Sequence, residues 1–176
     1  MTRDPAESYV PMSLAAAMRR QALKVWAVGG IVAAVWVALI ISVPLSAVAG
    51  MDASPMYKFF SYICHQQADR SFHIDGYQFA VCHRCFGIYF GLLAGFAAYP
   101  LWRSIGDTEP LPRFWLFLSM IPIGLDAVLG MLGYWNNTAL TRFVTGTILG
   151  FACGTFIIPA LVEIFRNLTA GRRADK

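Results

Sequence analysis

Four stretches of the chain run without a charged residue for long enough to cross a bilayer, and the polar positions gather between them. The first is Val25 to Val48; a helix of that length covers about 36 Å, against about 30 Å of hydrocarbon. The second is Cys85 to Trp102, bounded by Arg84 and Arg103, the third Phe114 to Trp135 and the fourth Phe143 to Val162. Each is long enough to span, the second only just. The connector 103 to 113 carries two prolines between flanking arginines and reads as a tight polar turn. The pattern predicts an all-α integral membrane protein built as a four-transmembrane-helix bundle. Residues 1–24 precede the membrane domain, 25–166 form it, and 167–176 make a tail. In the long connector 49–84, Ser54-Pro55 offers an N-cap and a first-turn proline for a short interfacial helix running to about His65. Its Tyr57, Phe59, Phe60, Tyr62 and Ile63 would lie at the membrane interface.

Composition narrows the class further. Hydrophobic residues make up 57% of the 176-residue chain and charged ones only 14%, where a soluble domain carries about 25% charge. Too few polar residues remain for a disordered chain or a nucleic-acid-binding module. The net charge of +4 is uneven. Arg3, Arg19, Arg20, Lys24, Arg103, Arg113, Arg166, Arg172, Arg173 and Lys176 fall on one side of the spans; Lys58, Arg70, Arg84 and Arg142 fall on the other. Cytoplasmic loops retain Lys and Arg, so both termini are expected in the cytoplasm and the segments 49–84 and 136–142 outside a multi-pass inner-membrane protein. Trp26, Trp102 and Trp115 then mark the inner boundary and Trp135 the outer. Arg19-Arg20 and Ala47-Val48-Ala49 loosely imitate a twin-arginine signal with a cleavage site. The apolar stretch exceeds the roughly 7 to 15 residues of a signal core, and Ala22 occupies a position where such a signal wants a bulky residue.

Two spans carry glycine at intervals of four: Gly87, Gly91 and Gly95 in the second, Gly146, Gly150 and Gly154 in the fourth. In lipid, where no hydrophobic force pulls helices together, such stripes let backbones approach and gain dispersion contacts. The second and fourth spans are expected to pack against each other or against an identical partner helix.

Chemistry concentrates in the first outer connector. Cys64, His65, His73, Cys82, His83 and Cys85 place three cysteines and all three histidines of the chain in the segment 64–85. Cys82 and Cys85 have the spacing that aims two thiolates at one centre. Cys64 with His65, on the other arm of the connector, offers a third and fourth ligand for zinc or another transition metal. Adjacent ligands are awkward, and His73 or His83 is an alternative fourth. Haem of the c type is excluded, because Cys-His-Arg-Cys lacks a following histidine. Two other chemistries compete: thiol-disulfide exchange with Cys82 and Cys85 as the catalytic pair, Arg84 and His83 lowering the thiol pKa, and a structural disulfide. Cys153, between Gly150 and Gly154, reads as a small core residue.

Asp126 is the thirteenth residue of the third span and falls near mid-membrane, where an ionised carboxylate costs several kcal/mol unless paired. Candidate partners are Arg142, Arg84, Thr145 and Thr147. If the glycine stripes join the second and fourth spans, Arg84 and Arg142 crown one site beside Asn137 and the cysteine loop, suited with Arg70 to an anionic headgroup or a carboxylate. A helix-packing role for Asp126 and snorkelling of the arginines are the plain alternatives.

The segments ICHQQADRSF and GYQFAVCHRCFGIYFG, followed by Asp126 and the pattern Asn137-x4-Arg142-x3-Gly146-x3-Gly150, resemble a family of small prokaryotic membrane proteins known as domain of unknown function 2085. The resemblance covers roughly residues 54 to 155. It implies a shared element at Cys64 to Gln66, with Arg70, Cys82, Cys85, Gly87, Tyr89, Gly91, Asp126 and Arg142, and it implies no activity; His83 falls at a position expected not to ligate. Three functional expectations follow: a metal-stabilised membrane binding or transport component, a membrane thiol-disulfide oxidoreductase, and an accessory subunit docked through its glycine stripes. The lipid bilayer is the expected environment, with a homo-oligomer or larger complex as partner and no nucleic acid.

Overall fold

The computed structural model describes residues 12–109 and 111–174, with side chains through Thr169. Arg3, Arg172, Arg173 and Lys176, counted in the charge balance, lie outside the described side chains. Five helices and one hairpin follow in order: α1 (Met12–Val48), α2 (Ser54–Ser61), β1 (Ser71–Ile74), β2 (Tyr77–Cys82), α3 (His83–Ala98), α4 (Phe114–Met131) and α5 (Ala139–Ala174). Short 3-10 turns at Ala68–Arg70 and Tyr99–Leu101 precede β1 and extend α3. Among the described residues, four helices are long and apolar enough to span a membrane: α1, α3 with its extension, α4 and α5. Their outer faces fit lipid rather than water, since Val28, Ile31, Val32 and Val35 of α1 and Phe117, Ile121, Leu125 and Val128 of α4 are exposed.

The helix ends differ from the sequence expectation where local rules are weak. α1 begins well before Val25 and, with 37 residues, is about 55 Å long, so it outruns any hydrocarbon layer. α4 stops at Met131. α2 is capped by Ala53, with Pro55 in its first turn, and the Ser54 N–H is taken by Asp52 Oδ1 at 3.0 Å. It ends at Ser61.

An all-α chain is the expectation, and here the structure corrects the sequence. β1 and β2 pair antiparallel, Ile74 opposite Tyr77 and His73 opposite Gln78. Asp75 and Gly76 form the turn with φ of 48° and 85°, the left-handed pair that a two-residue hairpin needs to match strand twist. Between the His73–Gln78 and Ser71–Cys82 pairs the register slips, and Phe79, Ala80 and Val81 all turn inward. They join Ile40, Val43, Ala53, Phe60 and Cys64 in one buried cluster that ties the connector to α1. Trp36 of α1 adds edge contacts to Phe59, Phe60 and Tyr89.

α3 and α5 lie side by side and run the same way. Gly87 faces Phe143 and Thr147, Gly91 faces Thr147 and Phe151, and Gly95 faces Phe151 and Gly154; from the other side Gly146, Gly150 and Gly154 face Arg84, Ile88 and Leu92. Each contact is to backbone. A methyl group added at Gly91 would lie 2.8 Å from the Phe151 nitrogen, and one at Gly154 2.7 Å from the Leu92 oxygen, distances that require the helices to part. α1 closes over this pair, Trp26 donating its indole N–H to the Phe96 carbonyl at 2.8 Å.

Gly91→Ala and Gly150→Ala are each expected to lower stability by about 1–3 kcal/mol through overpacking. Gly124→Ala on α4, where an added methyl meets nothing within 4 Å, is expected not to lower it. Thermal unfolding in detergent measures the difference.

Candidate metal centre and arginine cavity

The hairpin delivers the sulfurs. β2 runs directly into α3, so Cys82 is the N-cap of α3 and Cys85 lies in its first turn. Residues three apart at a helix start share a face, and that face meets Cys64 arriving from α2. The Sγ atoms of Cys64, Cys82 and Cys85 all lie within 4.8 Å of one another, and all four cysteines of the chain are free thiols. The Cys82 N–H donates to Cys64 Sγ at 3.2 Å.

Gln66 holds this geometry in place. Its backbone is in the left-handed region at φ 48°, and its side-chain amide donates to the Tyr57 carbonyl at 2.9 Å and the Ala80 carbonyl at 2.8 Å. Gln78 returns a bond to the Gln66 carbonyl at 3.3 Å, and the Tyr57 hydroxyl donates to the Gln78 carbonyl at 2.5 Å. Gln66, Gln78 and Tyr57 thus lash the Cys64 loop to β2. Gln66 belongs to the element the resemblance marked; nothing in the sequence assigned its role. The Cys82 thiol first, then the Cys85 thiol and the N–H groups of Cys82 and Gln66, point at the Cys64 sulfur and hold its pKa well below the usual thiol range.

The histidines are not in the sulfur group. Cys64 is buried and its neighbour His65 exposed, because successive residues leaving α2 project to different sides. His65 nevertheless lines the cavity above the sulfurs. His73 is exposed on β1. His83 is buried against Phe72, ring centroids 4.3 Å apart, and its Nδ1 has no partner among the described residues. The expected Cys64, His65, Cys82, Cys85 quartet is therefore three sulfurs with a histidine at the rim. Cys153 is half-buried on α5, apart from the other thiols.

A metal ion fits the three sulfurs. Zinc–sulfur bonds of about 2.3 Å put tetrahedral thiolates about 3.8 Å apart, within the observed spread.

Arg70, Arg84 and Arg142 line the cavity of about 350 Å³ above the sulfurs, and the same three line an adjoining cavity of about 300 Å³ walled by Trp135, Asn136 and Asn137. Arg84 takes the buried acid: Nε donates to Asp126 Oδ2 at 3.2 Å and the terminal NH2 group donates to the same oxygen. Asn137 adds a bond to the Asp126 carbonyl at 2.7 Å and a longer one to Oδ2 at 3.4 Å. Asn137 reaches in over Gly130, where a Cβ would meet its side chain. The expected alternatives fall away. Thr145 and Thr147 direct their hydroxyls to the backbone of α5, and Arg142 makes no ion pair among the described residues. Because α4 ends at Met131, Asp126 lies five residues from the hairpin end of the helix rather than at its middle.

Asp126 is buried, and its partner Arg84 is only a quarter exposed, so removing one charge strands the other. Asp126→Leu is expected to cost about 3 kcal/mol. The double variant Asp126→Leu, Arg84→Met is expected to recover most of that, as a denaturant or thermal double-mutant cycle in detergent would read.

Among curated proteins, an uncharacterised protein of Methanocaldococcus jannaschii is 38% identical over 109 residues, covering 62% of this chain and 70% of that one. An uncharacterised protein of Methanothermobacter thermautotrophicus is 35% identical over 109 residues, covering 62% of this chain and 92% of that one. No solved structure matches the chain. A model of the predicted membrane proteins of DUF2085 matches residues 64–166, from the first clustered cysteine through the spans that frame the arginine cavity, and the chain belongs to that family.

Proposed function

We propose that this protein is a metal-stabilised membrane binding or transport component. Cys64, Cys82 and Cys85 hold zinc or another soft transition ion, and Arg70, Arg84, Arg142 and Asn137, backed by Asp126, line the ligand route beside it. The observation that carries the reading is the gathering of three free thiols from three segments within 4.8 Å. Thiolate sets of this kind select soft or borderline ions such as Zn2+ and Cu+. Cys64, Cys82 and Cys85 would hold such an ion between the Cys64 loop and the start of α3, and it would tie the two together; His65, on the cavity wall, is a candidate further ligand. Three thiolates around a dication carry a net charge of −1, and the neighbouring arginines balance it.

Orientation is part of the proposal. The basic residues Arg19, Arg20, Lys24, Arg103, Arg113 and Arg166 collect at the end away from the hairpin, which supports cytoplasmic termini in an inner membrane and an outward metal centre. α2 then lies at the outer interface, with Phe59, Tyr62 and Ile63 exposed toward lipid headgroups.

Elemental analysis of the purified protein is expected to find one zinc or similar ion per chain, lost in Cys82→Ser and retained in Cys153→Ser. A metal-free protein whose Cys82 and Cys85 titrate reversibly as a dithiol would overturn the reading in favour of thiol-disulfide exchange. For orientation, Tyr134→Cys, at a position 82% exposed, is expected to react with a membrane-impermeant maleimide in intact cells, and Leu101→Cys, 83% exposed, only after lysis.

A further inference from the structure

Three guanidinium groups converge on one space from three separate elements: Arg70 from the 3-10 turn before β1, Arg84 from the first turn of α3 and Arg142 from the first turn of α5. All three line both adjoining cavities. Local carboxylates do not balance them. Asp126 engages Arg84. Asp69 lies 3.5 Å from Arg70 in a pair whose side chains are 51% and 75% exposed, an arrangement that water and salt largely screen. The Arg142 side chain is half-buried and makes neither an ion pair nor a hydrogen bond among the described residues.

The backbone adds to the same field. α3 and α5 run parallel and both begin here, so the positive ends of two helix dipoles face the space the arginines enclose. α3 has no side-chain cap. Asn137 lines the same wall, its amide N–H groups committed to the Asp126 carbonyl and Oδ2.

We infer that Arg70, Arg84 and Arg142 form a binding site for a phosphate group. A carboxylate offers two oxygens and suits one guanidinium fork, as Asp126 already does for Arg84. Three forks arriving from different sides suit an anion with three or four oxygens around one centre. Asp126 fixes the Arg84 plane from behind and leaves its remaining N–H groups for the cavity. A lipid headgroup and a free phosphoester present the same chemistry here. The inference deepens the ligand-binding half of the function proposed above and is independent of the metal.

The test uses the full chain purified in detergent, titrated calorimetrically with inorganic phosphate and with dihexanoylphosphatidic acid, each against chloride at equal ionic strength. At least one is expected to bind saturably. Arg142→Gln, which breaks no ion pair, is expected to weaken that binding at least about tenfold, the loss of one charge-assisted hydrogen-bonding group. Lys58→Gln, the same charge change on α2, is expected to leave it unchanged. Tighter binding of the short-chain lipid by about tenfold or more supports the site with a lipid source; comparable affinities support it with a soluble one. No saturable binding beyond chloride, or an Arg142→Gln protein that binds like the parent, overturns the site. Zinc content measured on the same samples separates the two proposals. A zinc-loaded protein that ignores phosphate sinks the anion site alone, and a zinc-free protein that binds it supports the anion site while sinking the metal centre.

Discussion

Close backbone contact between α3 and α5 fixes where everything else in this molecule can be. Six glycines on the two helices face carbonyls, amides and Cα atoms of the partner, with no side chain between. In lipid, apolar side chains gain nothing by leaving one hydrocarbon surface for another, so the favourable term is dispersion between surfaces that reach each other. A stripe without Cβ atoms maximises that reach. It also sets register, since a slide by one residue would drive a side chain into the facing backbone. With register fixed, the first turns of both helices end level, and Arg84 and Arg142 meet at one mouth.

The sulfur cluster depends on a second constraint, applied from the other side. The Asp75-Gly76 turn folds β2 back over β1, and the register slip buries Phe79, Ala80 and Val81 together against Ile40 and Val43 of α1. That apolar anchor aims the end of β2 at the start of α3, so Cys82 and Cys85 come out on one face. Cys64 reaches them because α2 packs Phe60 into the same cluster and Gln66 ties the following loop to β2. Burial of ordinary hydrophobic residues thus positions the chemically active ones.

Polar groups near the bilayer are tolerated only in company. Asp126 and Arg84 satisfy each other across α4 and α3, and Asn137 closes the pair from the loop before α5. Three elements share one network, and it joins α4, whose other buried residue is Ser119, to the glycine-packed pair. The ion pair therefore holds a helix in place at the same point where it orients one wall of the arginine cavity.

The spans are legible in the sequence because transfer of a helix into lipid depends on local length and charge, quantities that any window of the chain carries. The glycine stripes are legible for a related reason: a period of four defines a helix face without reference to a partner. The hairpin is equally local in its signal, an Asp-Gly pair between the alternating Phe72, Ile74 and Tyr77, Phe79, Val81, but the denser pattern of cysteines around it obscures that signal. The grouping of Cys64 with Cys82 and Cys85 is readable from spacing, whereas the exclusion of His83 and His73 is not. What the sequence determined by itself was membrane class, helix faces and the residue types available to each. Only the tertiary structure decided which arginine meets Asp126 and that α4 ends early enough to bring that acid toward the mouth. Those outcomes depend on distances between segments far apart in the chain, and such distances exist only once hydrophobic burial and backbone contact have fixed the register.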